Sequence, residues 1–206
     1  MNKPEIRMFN CEFRADENDE RGKFIYGRPI VFNAVTDMGY YSEVIDDGAL
    51  DNTDLRDVRL LVNHNTDMIP LARSRNNNSN STMQLSVVQH EGMDIRANLD
   101  VDNNADSSSL YSAVGRGDIT GMSFMFCVDG DAWEGLDTDK PTRHIRSISR
   151  VMEVSAVTFP AYEQTSLELR GLAEALDSAK ASLDSARAAK EKEENARARV
   201  RLLCSI

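Results

Sequence analysis

Three side chains in this sequence could together cut an acyl bond: Ser123, His64 and Glu153. A serine hydroxyl is a weak nucleophile near neutral pH. It becomes competent when an imidazole takes its proton and a third group fixes that imidazole's tautomer. The chain has three histidines. His64 closes the apolar run 58–63, which would hold it rigidly at a strand end. His90 precedes the turn signal Glu91-Gly92 and reads as exposed. His144 lies between Arg143 and Arg146 on a weakly alternating segment. Glu153 falls at the spacing of one strand face with Val151, Ser155, Val157 and Phe159. A carboxylate among apolar residues costs free energy unless a donor meets it, and an imidazole is such a donor. Each residue also has a bland reading: a small strand residue, a structural histidine, a glutamate at a sheet rim.

These residues need elements to hold them. After Gly121 the apolar residues Met122, Phe124, Phe126 and Val128 recur with period two, the mark of a strand with one buried face. Ser123 then falls on the opposite face, expected to be open, and Cys127 near the strand's end. Before it, residues 5–14 read as a first strand, 15–21 as an acidic exposed loop, and 23–33 as a second strand in which Pro29 marks an edge or a bulge. Residues 41–45 and 58–63 read as strands, with a short capped helical turn at 46–54 between them. The polar run 74–82 has nothing to bury. Residues 83–88 and 94–101 form a hairpin about Glu91-Gly92. A short helix is expected at about 109–114, ended by Gly115 or Gly117. Residues 129–141, with the chain's only tryptophan, Trp133, read as a loop. Residues 151–159 are a strand stopped by Pro160. Short strands joined by turns favour a mainly β fold with flanking helices, an antiparallel barrel closed or partly closed.

The pattern changes after Arg170. Leu172, Leu176, Ala179, Leu183 and Ala186 are spaced four, three, four, three, an a/d seam in an alanine-rich charged segment. It predicts a helix over about 171–200 with a coiled-coil-like face, suited to self-association or to a partner helix. Residues 1–170 and 171–206 are thus expected to be a body and a tail.

Charge and composition narrow the function. The net charge is −10. The tail carries seven Lys or Arg and six Asp or Glu, so the body alone is near −11. An acidic body repels phosphate backbones, which argues against nucleic acid as a ligand. No apolar run approaches the roughly 20 residues that span a bilayer, and the opening residues lack the apolar core of a signal peptide. A cytoplasmic setting is expected. Cys11, Cys127 and Cys204 are widely spaced and odd in number, which speaks against a disulfide framework or a zinc site. Asn63-His64-Asn65-Thr66-Asp67 offers one good metal ligand. There is no Gly-rich phosphate loop and no GxSxG elbow. No cofactor is expected.

At five blocks the sequence resembles the prohead (capsid maturation) serine proteases of tailed bacteriophages of the HK97 type. These are Gly27-Arg-Pro-Ile-Val-Phe-Asn33, Glu43-Val-Ile-Asp-Asp-Gly-Ala49, Asn63-His64-Asn65, Arg116-Gly-Asp-Ile-Thr-Gly-Met-Ser-Phe-Met-Phe126 and Met152-Glu-Val-Ser-Ala-Val-Thr-Phe-Pro-Ala-Tyr162. They fall in the family's order over about 22–170. Two positions depart from its pattern: Leu50 replaces a usual aromatic, and Met125 a usual glycine. That family is similar in fold to the herpesvirus assemblins, β-barrel serine proteases. The resemblance implies Ser123 as nucleophile and His64 as general base. Assemblins use a second histidine, which would point to His144 as third member; the family block and the argument above favour Glu153. A backbone N–H near Arg150, or one in the turn before Ser123, could complete an oxyanion site. The implied substrates are the major capsid protein, its scaffold-like segment and the enzyme itself, inside an assembling procapsid in the host cytoplasm. The main rival is a non-catalytic, scaffold-associated procapsid protein that keeps a protease-like barrel.

Overall fold

The alternation after Gly121 becomes β10 (Gly121–Glu134), the strand beside which the rest of the molecule is laid. The computed structural model describes residues 4–16, 22–158 and 170–203. β1 (Glu5–Asn10) runs antiparallel along one side of β10, with Met8 opposite Ser123. β11 (Thr142–Val157) runs antiparallel along the other side, with Ser155 opposite Ser123 and Glu153 opposite Met125. The first half of β11 takes β5 (Ser42–Ile45) as a parallel neighbour. Its second half takes β6 (Arg59–Val62), also parallel. The two-residue strands β4 (Thr36–Asp37) and β7 (Ala72–Arg73) close off β5 and β6.

A second sheet has the order β2 (Phe13–Asp16), β3 (Lys23–Val31), β9 (Gly92–Leu99), β8 (Met83–Val88) and is antiparallel throughout. The core lies between the sheets, where Leu60, Met122, Phe124, Phe126 and Val154 meet Ile25, Ile30 and Ile95. Gly27 brings the sheets close: a Cβ there would stand 2.4 Å from Met122 Sδ. The Pro29 irregularity is a bulge in an inner strand, since the β3–β9 register shifts between Gly27 and Ile30. Proline's missing N–H is accommodated at that break.

The sheets do not close into a barrel, which corrects the expected architecture. The expected first strand splits at Cys11-Glu12: β1 pairs with β10 in one sheet and β2 with β3 in the other. No ladder among the described residues links the sheets at that crossing. The large sheet is also mixed, because β5 and β6 both lie parallel to β11. Residues 46–54 form successive tight turns, with Ala49 N–H donating to Asp46 O and Asp51 N–H to Gly48 O. The expected loop at 129–141 shrinks to 135–141, because the β10–β11 ladder continues to Glu134 opposite Thr142. Cys127 therefore stands mid-strand.

Among the described residues two helices complete the fold. α1 (Ala105–Arg116) begins four residues earlier than expected. The Asn104 side chain accepts from the N–H groups of Asp106 and Ser107, and Gly117 ends the helix with φ 76°. α2 (Arg170–Leu203) is 34 residues long. Leu183 of its predicted seam is buried among Met38, Tyr41, Trp133 and Leu136 of its own body. Arg187 donates to the carbonyls of Leu136 and Thr138. At Leu183 the seam serves intramolecular docking. Among the described residues no helix is long and apolar enough to cross a membrane.

A buried ion cluster ties the sheet together next to β10. Arg7 bonds both oxygens of Glu43 and Oε2 of Glu5, the last at 2.5 Å. Arg143 bonds both oxygens of Glu5 at 2.7 and 3.0 Å, and Asp131 at 2.6 Å. These residues come from β1, β5, β10 and β11, so the cluster fixes how β1 lies against the serine strand.

Candidate active site

The site begins where β6 ends. Past Val62 the chain reverses through Asn63 and His64, both left-handed, with φ 50° and 55°. Such a conformation is costly for residues with a Cβ and persists where neighbours hold it. Here the end of β11 does so. Asn63 N–H donates to Ala156 O at 2.9 Å. The Asn63 amide bonds Thr158 through both its atoms: Nδ2 donates to its Oγ1 at 2.9 Å, and Oδ1 accepts from its N–H at 3.0 Å and from its hydroxyl at 3.3 Å. His64 N–H donates to Ser155 Oγ at 3.1 Å.

Held this way, the imidazole reaches back over the sheet between two residues of neighbouring strands. Its Nε2 lies 2.5 Å from Ser123 Oγ. Its Nδ1 lies 2.5 Å from Glu153 Oε1. An ionised carboxylate only accepts, so Nδ1 carries a hydrogen, and in the neutral ring Nε2 is then the acceptor facing the hydroxyl. Glu153 Oε2 accepts from the Ser155 hydroxyl at 2.7 Å. Ser123 Oγ also lies 2.7 Å from the Arg7 carbonyl. The hydroxyl has one proton and two acceptors in reach, so activation requires that proton to point at Nε2.

The family model of the caudovirus prohead serine proteases matches residues 9–178, a span that holds His64, Ser123, Glu153 and Ser155. The chain belongs to that family. No curated protein and no solved structure gives a significant match.

In this prohead protease family member the structure brings Ser123, His64 and Glu153 together and leaves the other candidates elsewhere. His144 lies nine residues before Glu153 on β11, about 30 Å of extended chain away. Its Nδ1 is 2.8 Å from Asp46 Oδ1. His90 is exposed and pairs with Asp47. Arg150 stands opposite Cys127, four residues along β10 from Ser123, so its backbone is not beside the hydroxyl. Among the described residues no group of three or more His, Cys, Asp or Glu is placed to hold a metal.

Two local expectations are corrected. Ser123 is not on an open face; it has no solvent exposure, and its hydroxyl lies against the His64 ring and the Arg7 carbonyl. Val151 does not share a face with Glu153: the register shift between Met125 and Phe126 sets Val151 opposite Phe126 in the core. Phe159 lies outside the described residues. A cleft of about 1280 Å³ runs under α2 past Met125, Val128 and Trp133, and Ser123 is not among the residues that line it. Sequence reasoning assigned no role to Ser155 or to the Asn63–Thr158 clamp. The asparagine beside the histidine was the available signal, since Asn tolerates left-handed turns.

Proposed function

We propose that this chain is a serine endopeptidase that processes the major capsid protein, its scaffold-like segment and itself during phage prohead maturation. Ser123 is the nucleophile, His64 the general base and Glu153 the group that fixes the imidazole. Ser123 Oγ adds to the carbonyl carbon of the scissile peptide while its proton passes to His64 Nε2. The intermediate collapses, His64 gives the proton to the leaving amine, and an acyl-serine remains. A water then attacks the ester; His64 takes its proton and returns it to Ser123. The carrying observation is the continuous chain from Ser123 Oγ through the His64 ring to Glu153, 2.5 Å at each link. Membership of the prohead protease family supports the reading.

The body is residues 1–170 and the tail 171–206. The tail binds scaffold-like helices, or a second copy of itself, and is later removed by self-cleavage; this tethers the enzyme inside the procapsid and raises its effective concentration there. Its support is the mostly exposed surface of α2 beyond Leu183. The acidic body makes nucleic acid an unsuitable partner.

The test is co-expression of wild type or Ser123→Ala with the capsid protein, read by gel and intact mass. Shortened capsid protein with wild type and full-length capsid protein with Ser123→Ala is the expected result. Uncut capsid protein in both would favour the non-catalytic scaffold-associated reading. Deleting residues 171–206 should strip the protease from purified procapsids; undiminished packaging would remove the tethering role.

A further inference from the structure

We infer that Ser155 is a positioning residue, whose one hydroxyl sets both the backbone of His64 and the carboxylate of Glu153. The inference rests on the reading of Ser123, His64 and Glu153 given above. Ser155 is fully buried and stands opposite Ser123 across the β10–β11 ladder. Its two bonds have fixed directions. The His64 backbone N–H can only donate, so Ser155 Oγ accepts there, at 3.1 Å. The Glu153 carboxylate can only accept, so the single Ser155 proton goes to Oε2, at 2.7 Å.

This arrangement sorts the two carboxylate oxygens. With Oε2 held by Ser155, Oε1 faces His64 Nδ1. The same hydroxyl holds the backbone of a residue at φ 55°, a conformation that relaxes once its anchor is removed. Asn63 anchors the turn from the other side through hydrogen bonds to Thr158. Ser155 is therefore the one described side chain that bonds both partners of the His64–Glu153 pair. A mere filler between strands could as well be alanine, which lacks only the oxygen. A role in alignment needs the hydroxyl.

The experiment compares wild type with Ser155→Ala, Ser155→Thr and Ser155→Cys in the full chain. One readout is the rate at which a fluorophosphonate labels Ser123, with Ser123→Ala as blank. The other is the proton NMR signal of the hydrogen-bonded His64 Nδ1–H, assigned by its loss in His64→Gln. Ser155→Ala should lower labelling about tenfold, since small misplacements of reacting groups are costly, and should broaden the Nδ1–H signal beyond detection. Ser155→Thr keeps the hydroxyl and should recover both. Ser155→Cys fills the volume with a poor donor and should resemble alanine, which guards against a variant that fails only by leaving a hole. A sharp Nδ1–H signal in folded Ser155→Ala, or wild-type labelling in Ser155→Cys, would overturn the proposal. If the signal depends on Ser155 but wild type is never labelled, the tie to His64 stands and the protease reading falls.

Discussion

At the scale of the residue, the account turns on which proton sits where. Glu153→Gln is the sharpest probe, because it keeps shape and removes charge. The Ser155 hydroxyl donates to one oxygen of Glu153, so in the variant it holds the amide oxygen on its own side. The amide NH2 then faces His64 Nδ1. The ring must accept there, its hydrogen moves to Nε2, and it can no longer take the Ser123 proton. The rate of Ser123 labelling should fall by about 10³–10⁴-fold, the scale of such a tautomer error in a serine protease, with the fold intact. Less than a threefold loss would show that Glu153 does not set the tautomer. His144→Gln, by contrast, removes a ring that bonds Asp46 far along β11, and labelling should stay within a factor of about two of wild type.

At the scale of the element, the position of the serine strand depends on β1, and β1 is fastened by buried charge. Arg7 is almost wholly buried between Glu43 and Glu5. Removing one partner of such a pair leaves the others charged and unsatisfied. Arg7→Met should cost about 3–5 kcal/mol in urea unfolding, and a loss under about 1 kcal/mol would mean that the cluster relaxes easily. The cluster also sets an acid limit. Burial alone would raise the Glu5 carboxyl; Arg143 and Arg7 outweigh it and leave it below its ordinary 4.5. A carboxyl depressed in the folded state stabilises above its unfolded pKa and loses that contribution as pH falls through the folded value. The melting temperature should therefore hold from neutral pH to about 5 and drop below about 4.5; a flat profile down to pH 3 would contradict it. Asp37 and Asp57, held low by Lys140 and Arg73, act in the same sense nearer the surface.

The elements also show what the sequence could and could not say. Alternation made β3, β8, β9 and the start of β10 legible, because one period-two face is apolar in each. The cluster was not legible: Glu5, Arg7, Glu43 and Arg143 look like ordinary surface charges until the strands are paired. Nor was the parallel placing of β5 and β6 beside β11, since partner choice across a sheet leaves no local periodicity. His64 could be read as the end of a buried strand. Its left-handed backbone, and the Ser155 hydroxyl that holds it, arise only when β6 and β11 meet.

At the scale of the whole molecule, two sheets enclose the core, the Ser123 hydroxyl lies where solvent does not reach it, and α2 docks on the same body. α2 is legible from its heptad spacing, but its docking through Leu183 depends on a pocket made by Met38, Tyr41, Trp133 and Leu136, which are scattered in the sequence. The central claim is that Ser123 cuts peptide bonds. Its most direct test is intact mass followed over time on purified wild type beside Ser123→Ala. The account predicts that wild type shortens, that Ser123→Ala keeps its full mass, and that the fragment masses place cuts near the junction of body and tail. Equal shortening of both proteins would contradict it, because the cutting would then owe nothing to Ser123.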